Sequence, residues 1–419
     1  MNCFTPFELP TGAQIPNRQV SLCDFGAVPG GKVKNTRAFS EAISSLEALG
    51  GGRLNVPQGL WLSGPIHLKS KIELHLEKGA EIRFSMDRED YLPPVFTMYE
   101  GVRCYSYSAQ IYARDCHDIA VTGEGTLNGQ GFCWWYSAVD RRGVEALYQA
   151  GQDDLPVEKR VYASDELCLR PGLLHFIGCE NVTIQGNTYT FSPFWTIHPT
   201  WCKNLIVKDI CVRNPWVHAP NTDGCNLEGC QRALVDGVDT DTGDDAVCLK
   251  SGRDADGRRV GRPCQDVIVR RVLTRRSHGG VTIGSEMSGG VRNILVEDCE
   301  FRQSLIGLWI KTAPERGGIV ENIEYRNIRA EHLRESALCI TMGYYVDGNL
   351  PGDAPFMPCV RNISVNGLHC QYAGTGVLLQ GMEKSPLEEI SLHNFSCHAG
   401  TSLKVEHVKG LNMENVRFF

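Results

Sequence analysis

Residues Asn221–Lys250 read NTDGCNLEGC QRALVDGVDT DTGDDAVCLK, and the pattern within them predicts the fold of the chain. It contains two similar units in which an aspartate precedes an apolar pair at alternate positions: Asp223 before Cys225/Leu227, and Asp245 before Val247/Leu249. Side chains alternate along a strand, so the two aspartates have the same phase, while Asp244 has the opposite phase. Stacked strands lie about 4.8 Å apart. The stretch therefore predicts a solenoid with two acids one above the other and a third beside them.

A repeat extends this pattern along the chain. From about residue 118 onward, a polar residue precedes a short apolar strand, starting at Asp118, Asn181, Asn204, Arg232, Asp266, Asn293, Asn322 and Asn362. Successive starts are mostly about 21 to 40 residues apart, which indicates one structural unit per repeat with insertions at the loops. Short strands, frequent glycine and few helical segments favour an all-β fold, a single right-handed parallel β-helix domain over residues 1–419. The repeated asparagines are interpreted as structural.

Two segments depart from the repeat. Residues 36–49 predict an N-terminal helix that caps the first coil, because an uncovered end would expose edge strands and core. Thr36 is the proposed N-cap, and Gly50 is the proposed C-terminal stop. The apolar face of the helix consists of Ala38, Ile43, Leu46 and Leu49. The segment of about residues 130–170 predicts an inserted loop near the cleft.

The outward face follows from strand phase. The apolar pairs that should point into the coil are Cys225/Leu227, Val247/Leu249, Val281/Ile283, Leu308/Ile310 and Leu338/Ile340. Alternate residues then point outward, and His278 falls in the column of Asp244. Gly243 permits a turn or bulge that aims both Asp244 and Asp245 at the cleft. One face is therefore expected to carry Asp223, Asp244, Asp245, His278, Trp309 and Lys311.

Composition excludes several classes of function. A net charge of −7 argues against nonspecific nucleic-acid binding. The sequence has no run of 18 apolar residues, so no membrane-spanning segment is expected. The N-terminal sequence MNCFTPFELPTG lacks the basic and apolar regions of a secretory signal. The 18 cysteines show no metal-binding spacing, so reduced thiols and a cytoplasmic location are expected. No metal, cofactor, nucleic-acid partner or membrane partner is expected, and the oligomeric state is undecided.

Several motifs occur in an order that resembles glycoside hydrolase family 28, the polygalacturonase family. They are DFGAVPGG near the start, GEGTLNGQG at 123–131, SPFWTIHP at 192–199, NTDG at 221–224, GDD at 243–245, HGG at 278–280 and GSEMSGG at 284–290. The GSEMSGG segment and the long loop between Lys250 and His278 are more similar to the bacterial exo-acting members. The resemblance implies a β-helix that hydrolyses α-linked galacturonate chains in pectic polysaccharides or oligosaccharides with inversion.

The resemblance also implies roles for individual residues. Asp244 would be the general acid, while Asp223 and Asp245 would hold and activate the attacking water. His278 would tune the acid or touch the sugar, and Asn221 and Lys311 would help bind substrate. Independently, crowding three carboxylates should raise the pKa of at least one of them.

An acidic substrate needs local positive charge, and the chain offers several candidates. They are Lys311, His278, Arg253 and Arg316. Lys250 shares a column with Glu228 one rung away, so a structural ion pair and a substrate contact both remain open. Tyr344 and Tyr345 follow a cleft strand and are candidates for sugar contacts.

One position departs from the family pattern. The chain has Trp309-Ile310-Lys311 where the family commonly has Arg-Ile-Lys, and tryptophan cannot form the bidentate carboxylate pair of an arginine. Trp309 would stack on a sugar ring or lie under a loop. A rhamnogalacturonan or other side-linkage hydrolase, a uronide lyase and a non-catalytic carbohydrate-binding β-helix therefore remain alternatives.

Overall fold

Strands of successive coils pair side by side in a computed structural model that describes residues 3–344 and 354–419. Within these residues, every registered strand pairing of the 25-stranded main sheet is parallel. The predicted all-β, right-handed parallel β-helix with an N-terminal capping helix is confirmed. Tyr345 lies outside the described residues.

The first half of the chain contains short strands. They are β1 (Gln19–Ser21), β2 (Gly52–Val56), β3 (Gly59–Ser63), β4 (Ile66–His67), β5 (Ile72–Leu76), β6 (Ala80–Phe84), β7 (Val95–Tyr99), β8 (Val102–Ser106), β9 (Ile111–Arg114), β10 (His117–Gly123), β11 (Thr126–Asn128), β12 (Val161–Tyr162), β13 (Leu174–Ile177), β14 (Glu180–Gln185), β15 (Thr188–Thr190) and β16 (Ile197–Thr200). Strands β7, β8 and β12 form a separate small sheet that includes the antiparallel β7–β8 hairpin.

The second half contains longer strands together with two strands of four residues. They are β17 (Lys203–Arg213), β18 (Cys225–Glu228), β19 (Gln231–Asp241), β20 (Val247–Lys250), β21 (Cys264–Arg270), β22 (Leu273–Gly284), β23 (Val291–Glu297), β24 (Glu300–Lys311), β25 (Ile319–Thr341), β26 (Cys359–Gln380), β27 (Leu387–Glu406) and β28 (Val408–Phe418). The helices are α1 (Thr36–Ala48), α2 (Phe132–Trp135), α3 (Arg142–Gln152) and α4 (Asp254–Val260), and 3-10 turns span Leu22–Phe25, Arg88–Tyr91, Tyr136–Val139 and Val157–Lys159.

The predicted inward columns are confirmed by the register of the coils. Strands β18, β20, β22, β24 and β25 pair in sequence, and the apolar pairs stand directly above one another: Cys225, Val247, Val281, Leu308 and Leu338 in one column, and Leu227, Leu249, Ile283, Ile310 and Ile340 in the other. All ten are fully buried. Alternation with period two therefore places the residues between them on the outer surface of the coil wall.

Helix α1 covers the first coil with Ala38, Ile43 and Leu46, which are buried. Two details of its prediction are wrong. Thr36 is the first helical residue rather than the N-cap, and its hydroxyl accepts a hydrogen bond from the Gly64 amide at 2.7 Å. Leu49 follows the helix and is 55% exposed, because the chain leaves the helical path before the next turn is complete.

The segment predicted as an inserted loop near the cleft carries its own secondary structure. It contains α2, α3, two 3-10 turns and β12, and its buried residues Val144 and Leu147 pack in a separate apolar cluster with Phe194 and Trp195. A plain loop could not present such an apolar face, so this segment is a folded wall beside the coils.

The repeated polar residues form ladders at the turns, as predicted. Asn204 donates to Asn181 at 3.0 Å, Asn293 donates to Asp266 at 2.6 Å, and Asn362 donates to Asn322 at 2.6 Å. Each of these asparagines has a φ between 54° and 57°, a left-handed conformation that asparagine tolerates. Their role is structural.

Composition predicted reduced cysteines and no membrane-spanning segment. All 18 cysteines are free thiols, and most of them are buried. No helix in residues 3–344 and 354–419 is long and apolar enough to cross a membrane.

Candidate active site

A cavity of about 110 Å³ opens on the outer face of the coils at the height of β18, β20 and β22. It is lined by Glu100, Arg141, Trp195, Asn221, Asp223, Asp244, Asp245, Lys250, Arg253, Ser285, Glu286, Lys311 and Tyr344. All three predicted aspartates are therefore in one site. His278, Trp309 and Arg316, which were also predicted to face it, do not line the cavity itself.

The stacking of coils positions the aspartates. The Gly224 amide donates to the Asp245 carbonyl at 2.9 Å, and the His278 amide donates to the Asp244 carbonyl at 3.0 Å. These bonds stack Asp223 over Asp245 and Asp244 over His278, as the phase argument predicted. Gly243 is required at the turn, since a Cβ there would lie 2.1 Å from the Ala219 carbonyl oxygen.

Asp223 and Asp245 lie close together, with a thiol between them. The Cys248 Sγ is 3.5 Å from Asp223 Oδ2 and 3.4 Å from Asp245 Oδ2, and the ligand atoms of the three residues all lie within 4.8 Å of one another. Phase placed Cys248 on the outward face, but its contact with both acids was missed. The missed signal is its position on β20, three residues after Asp245.

Lys311 neutralises one member of this pair. Its Nζ donates to Asp245 Oδ2 at 2.8 Å, and both side chains are buried. Burial alone would raise the pKa of Asp245, but the charges of Lys311 and Lys250 outweigh burial and lower it. Asp245 is therefore the ionised member of the pair.

Asp223 has the opposite environment. Burial raises its pKa well above the ordinary value, and the negative charge of Asp244 raises it further. The expectation that crowding raises the pKa of at least one carboxylate is confirmed. Burial and the neighbouring charge together favour a proton on Asp223, which differs from Asp244, the residue that the sequence hypothesis gave the proton for the leaving group. The cluster therefore titrates as a unit.

Asp244 is the most accessible of the three and has its own partner. Its side chain is 18% exposed, and His278 Nδ1 lies 3.2 Å from its Oδ1. Burial opposes protonation of His278, but the hydrogen bond and charge of Asp244 prevail and raise the pKa of His278 to about 9. Trp216 contacts the imidazole edge-to-face at 5.3 Å. His278 is thus a cation at neutral pH that borders the site through Asp244.

Asn221 is held by an arginine that sequence reasoning missed. Arg170 Nη2 donates to Asn221 Oδ1 at 2.6 Å, and Arg170 Nη1 donates to the Pro220 carbonyl at 2.7 Å. The amide nitrogen of Asn221 is left available to the cavity that the residue lines. No local sequence pattern links two residues that are 51 positions apart.

Lys250 forms a structural ion pair, but not with the predicted partner. Its Nζ lies 2.8 Å from Glu286 Oε2, and its charge lies over the Trp195 ring at 4.8 Å. Glu228 instead hydrogen-bonds His198 at 2.8 Å, and burial raises the pKa of Glu228 to about 8. A protonated acid has no charge with which to pair, so Lys250 pairs with the ionised Glu286.

The predicted arginines are engaged by protein carboxylates. Arg253 lines the cavity and lies 3.5 Å from Glu286, while Arg316 donates to the Ser285 carbonyl at 2.9 Å and pairs with Asp254. Arg316 is therefore a structural residue next to the site rather than part of its lining.

The two aromatic candidates form one group. Tyr344 lines the cavity and contacts Trp309 edge-to-face at 5.6 Å. Lys311 Nζ lies 4.1 Å from the centre of the Trp309 ring. The partly buried Trp309 thus braces Lys311 and Tyr344 from behind the cavity, and the expectation that it stacks on a sugar is not supported by the cavity lining.

The spacing of Asp223, Asp245 and Cys248 would admit a metal ion. The donor set argues against it, however, because the Lys311 ammonium already occupies Asp245 Oδ2 at 2.8 Å. A cation bound there would face a fixed positive charge at contact distance. The arrangement fits a carboxylate pair that holds a water better than it fits a metal centre.

Comparison with known proteins accords with this geometry. Residues 159–416 match the sequence profile of Glycosyl hydrolases family 28. The crystal structure of a hyperthermoactive exopolygalacturonase from Thermotoga maritima is 37% identical, has a TM-score of 0.91 and covers 98% of this chain and 94% of its own. A probable polygalacturonase from Vitis vinifera is 29% identical over 92% of this chain and 75% of its own length, and an exo-poly-alpha-D-galacturonosidase from Dickeya chrysanthemi is 23% identical over 92% and 71%. The chain belongs to glycosyl hydrolase family 28 and is a glycoside hydrolase.

Proposed function

We propose that the protein is an exo-acting polygalacturonase that removes sugars from the end of α-linked galacturonate chains with inversion. The Thermotoga and Dickeya relatives are named as exo-acting enzymes on such chains. The observation that carries the proposal is the pairing of Asp223 and Asp245, with Cys248 between them and Asp244 beside them in one cavity.

The spacing of Asp223 and Asp245 bears on which residues form the acid–base pair. Asp223 and Asp245 have carboxylate oxygens within 4.8 Å of each other, which is closer than the roughly 6.5–9.5 Å that separates the acid and base of an inverting enzyme. The two residues therefore serve as one unit that orients and deprotonates a single water. The proton retained by the buried Asp223 stays within this unit, so the proton for the leaving oxygen comes from the third residue, Asp244, which is the most accessible of the three.

Each residue has a distinct part in this mechanism. Asp245, ionised beside Lys311, accepts a proton from the attacking water, and Asp223 fixes the position of that water. Asp244 protonates the glycosidic oxygen. His278, a cation next to Asp244, supplies a charge-assisted contact through which the acid is oriented and reprotonated.

The folded wall supports action at a chain end. Tyr148 of α3 hydrogen-bonds Glu100, and the Arg253 guanidinium lies 3.6 Å from the centre of the Tyr148 ring. Arg253 also lies 3.5 Å from Glu286 on the loop after β22. These contacts join the inserted segment to the coils beside the cavity, so a long polymer meets a wall instead of an open groove.

Hydrolysis of a galacturonate oligomer tests the proposal. Early digestion of a hexamer should give monogalacturonate with pentamer, or digalacturonate with tetramer, and NMR should show the β-anomer of the new reducing end first. A ladder of all product lengths would contradict exo action, and an α-anomer formed first would contradict inversion. An unsaturated product that absorbs ultraviolet light would instead identify a lyase.

We also propose a cytoplasmic location, supported by the 18 free thiols. Cell fractionation with an activity assay tests it. Activity confined to the culture medium or periplasm would contradict the proposal.

A further inference from the structure

The carboxylates that line the cavity would repel the carboxylate of an acidic substrate. Trp309 does not line the cavity, and its side chain carries no charge. Several carboxylates do line it, including Glu100 and Glu286 as well as the three aspartates. A uronate carboxylate that enters must therefore be met by a cation that these acids have not already neutralised.

Three of the four cations that line the cavity are already neutralised. Lys311 lies 2.8 Å from Asp245, and Lys250 lies 2.8 Å from Glu286. Arg253 is surrounded by acids, at 3.4 Å from Asp254, 3.5 Å from Glu286 and 3.9 Å from Glu100. Their charges hold the protein's own carboxylates in place and leave little attraction for a second anion.

Arg141 is different. It lines the cavity and is partly buried, yet its guanidinium has no hydrogen bond, ion pair or aromatic contact within the described part of the chain. Its backbone is fixed nonetheless, because its carbonyl accepts a hydrogen bond from the Glu145 amide at 2.9 Å at the start of α3. The inserted wall thus holds an unpaired guanidinium at the cavity.

The neighbouring Arg142 shows that the lack of a partner is specific to the position of Arg141. Arg142 Nη2 donates to Asp140 Oδ2 at 2.7 Å, and its Nε contacts Asp140 Oδ1 at 3.0 Å. This bidentate pair is exposed and Arg142 does not line the cavity. Two adjacent arginines therefore differ in one respect that matters here: one is satisfied by the protein and the other is open to a ligand.

We propose that Arg141 binds the carboxylate of a substrate galacturonate and makes the enzyme select free uronates over their methyl esters. A planar guanidinium presents two parallel N–H groups that match a carboxylate, and a neutral ester cannot accept the same charge-assisted pair. This role rests on the proposed function. It also places recognition of the acid group on the inserted wall instead of on the strand that carries Trp309.

The test compares Arg141→Gln, Arg141→Lys and the matched control Arg142→Gln on trigalacturonate and on its methyl ester. For Arg141→Gln we expect KM for trigalacturonate to rise by about tenfold or more, the loss of one charge-assisted contact. KM for the methyl ester should stay within about twofold. Arg141→Lys should fall between, since lysine keeps the charge without the fork. Arg142→Gln should match the parent on both substrates.

The outcomes separate this inference from the proposed function. If the parent enzyme does not hydrolyse trigalacturonate, the proposed function is wrong. If the parent is active and Arg141→Gln keeps its KM, or loses affinity for acid and ester equally, the role of Arg141 is wrong. Melting temperatures identify a variant that folds poorly. If Arg141→Gln is such a variant, the ratio of the KM values for acid and ester measured with Arg141→Lys decides whether Arg141 has the proposed role.

Discussion

The floor of the cavity and its wall are built in contrasting ways. The floor consists of residues on stacked strands or just before them, where Asp223, Cys248, Asp245 and Lys311 are buried and linked in sequence by hydrogen bonds. The wall is an insertion between strands, and the guanidinium of its Arg141 reaches the cavity with no partner among residues 3–344 and 354–419. The hydrogen bonds of the floor are formed before substrate arrives, as proton transfer requires. The wall, in contrast, holds a guanidinium that is available to bind a ligand.

The largest expected effect comes from the floor. Asp244→Asn should lower kcat by about 10³-fold, because it removes a general acid without changing size. KM and the melting temperature should stay close to those of the parent. Steady-state kinetics on trigalacturonate measures this, and a variant that keeps more than a tenth of the parent kcat would remove Asp244 from the role of acid.

Lys311→Met comes next and tests whether the floor depends on paired charges. Leaving Asp245 buried without its partner should cost about 3 kcal/mol of unfolding free energy. The double variant Lys311→Met/Asp245→Asn should recover part of that loss, because it removes the orphaned charge. Urea denaturation measures both variants. An unchanged midpoint for Lys311→Met would show that the pair contributes nothing to the fold.

Cys248 provides a smaller test of the floor. Its buried thiol is protonated, since burial and the charge of Asp245 raise its pKa well above the usual value. Cys248→Ala removes a donor to the acid pair, so the acidic limb of the kcat profile should move up by about half a pH unit. Cys248→Ser keeps a donor and should retain the parent limb. Identical profiles for the alanine and serine variants would make the thiol merely a packing residue.

The smallest expected effect concerns His278 at the rim. Its pKa is raised from 6.5 to about 9, so the stability it contributes is fully present below pH 6.5 and is lost as pH rises through about 9. The parent should therefore melt above His278→Gln by a larger margin at pH 6 than at pH 10. The margin should be modest, since His278 is 40% exposed and solvent screens its pair with Asp244. A margin independent of pH would contradict the pairing.

Prediction from the sequence was most accurate where the two-residue period of a strand alone fixes the direction of a side chain. The inward columns, the stacking of Asp223 on Asp245 and the column shared by Asp244 and His278 all follow from alternation along strands, and the structure has them so. The helical wall escaped prediction because its apolar residues pack against distant Phe194 and Trp195. Its short helices have weak signals of their own.

Partners of charged residues were the weakest part of the prediction. Column position suggested Glu228 for Lys250, but burial beside His198 raises the pKa of Glu228 to about 8 and the lysine pairs with Glu286. Trp309 faces outward as phase requires, yet it lies behind Lys311 and Tyr344 rather than in the cavity. Phase specifies which side of the wall a residue occupies, but not what covers that side.

The coil, the inward or outward direction of strand side chains and the family of the chain could be read from the amino-acid sequence, since they depend on periods of two residues and on short motifs. Which carboxylate holds a proton, which cations are neutralised and which cation is left for a ligand became apparent only in the folded protein. Those properties depend on burial and on charges brought within a few ångströms by segments far apart in the chain, and electrostatic energy varies steeply with both.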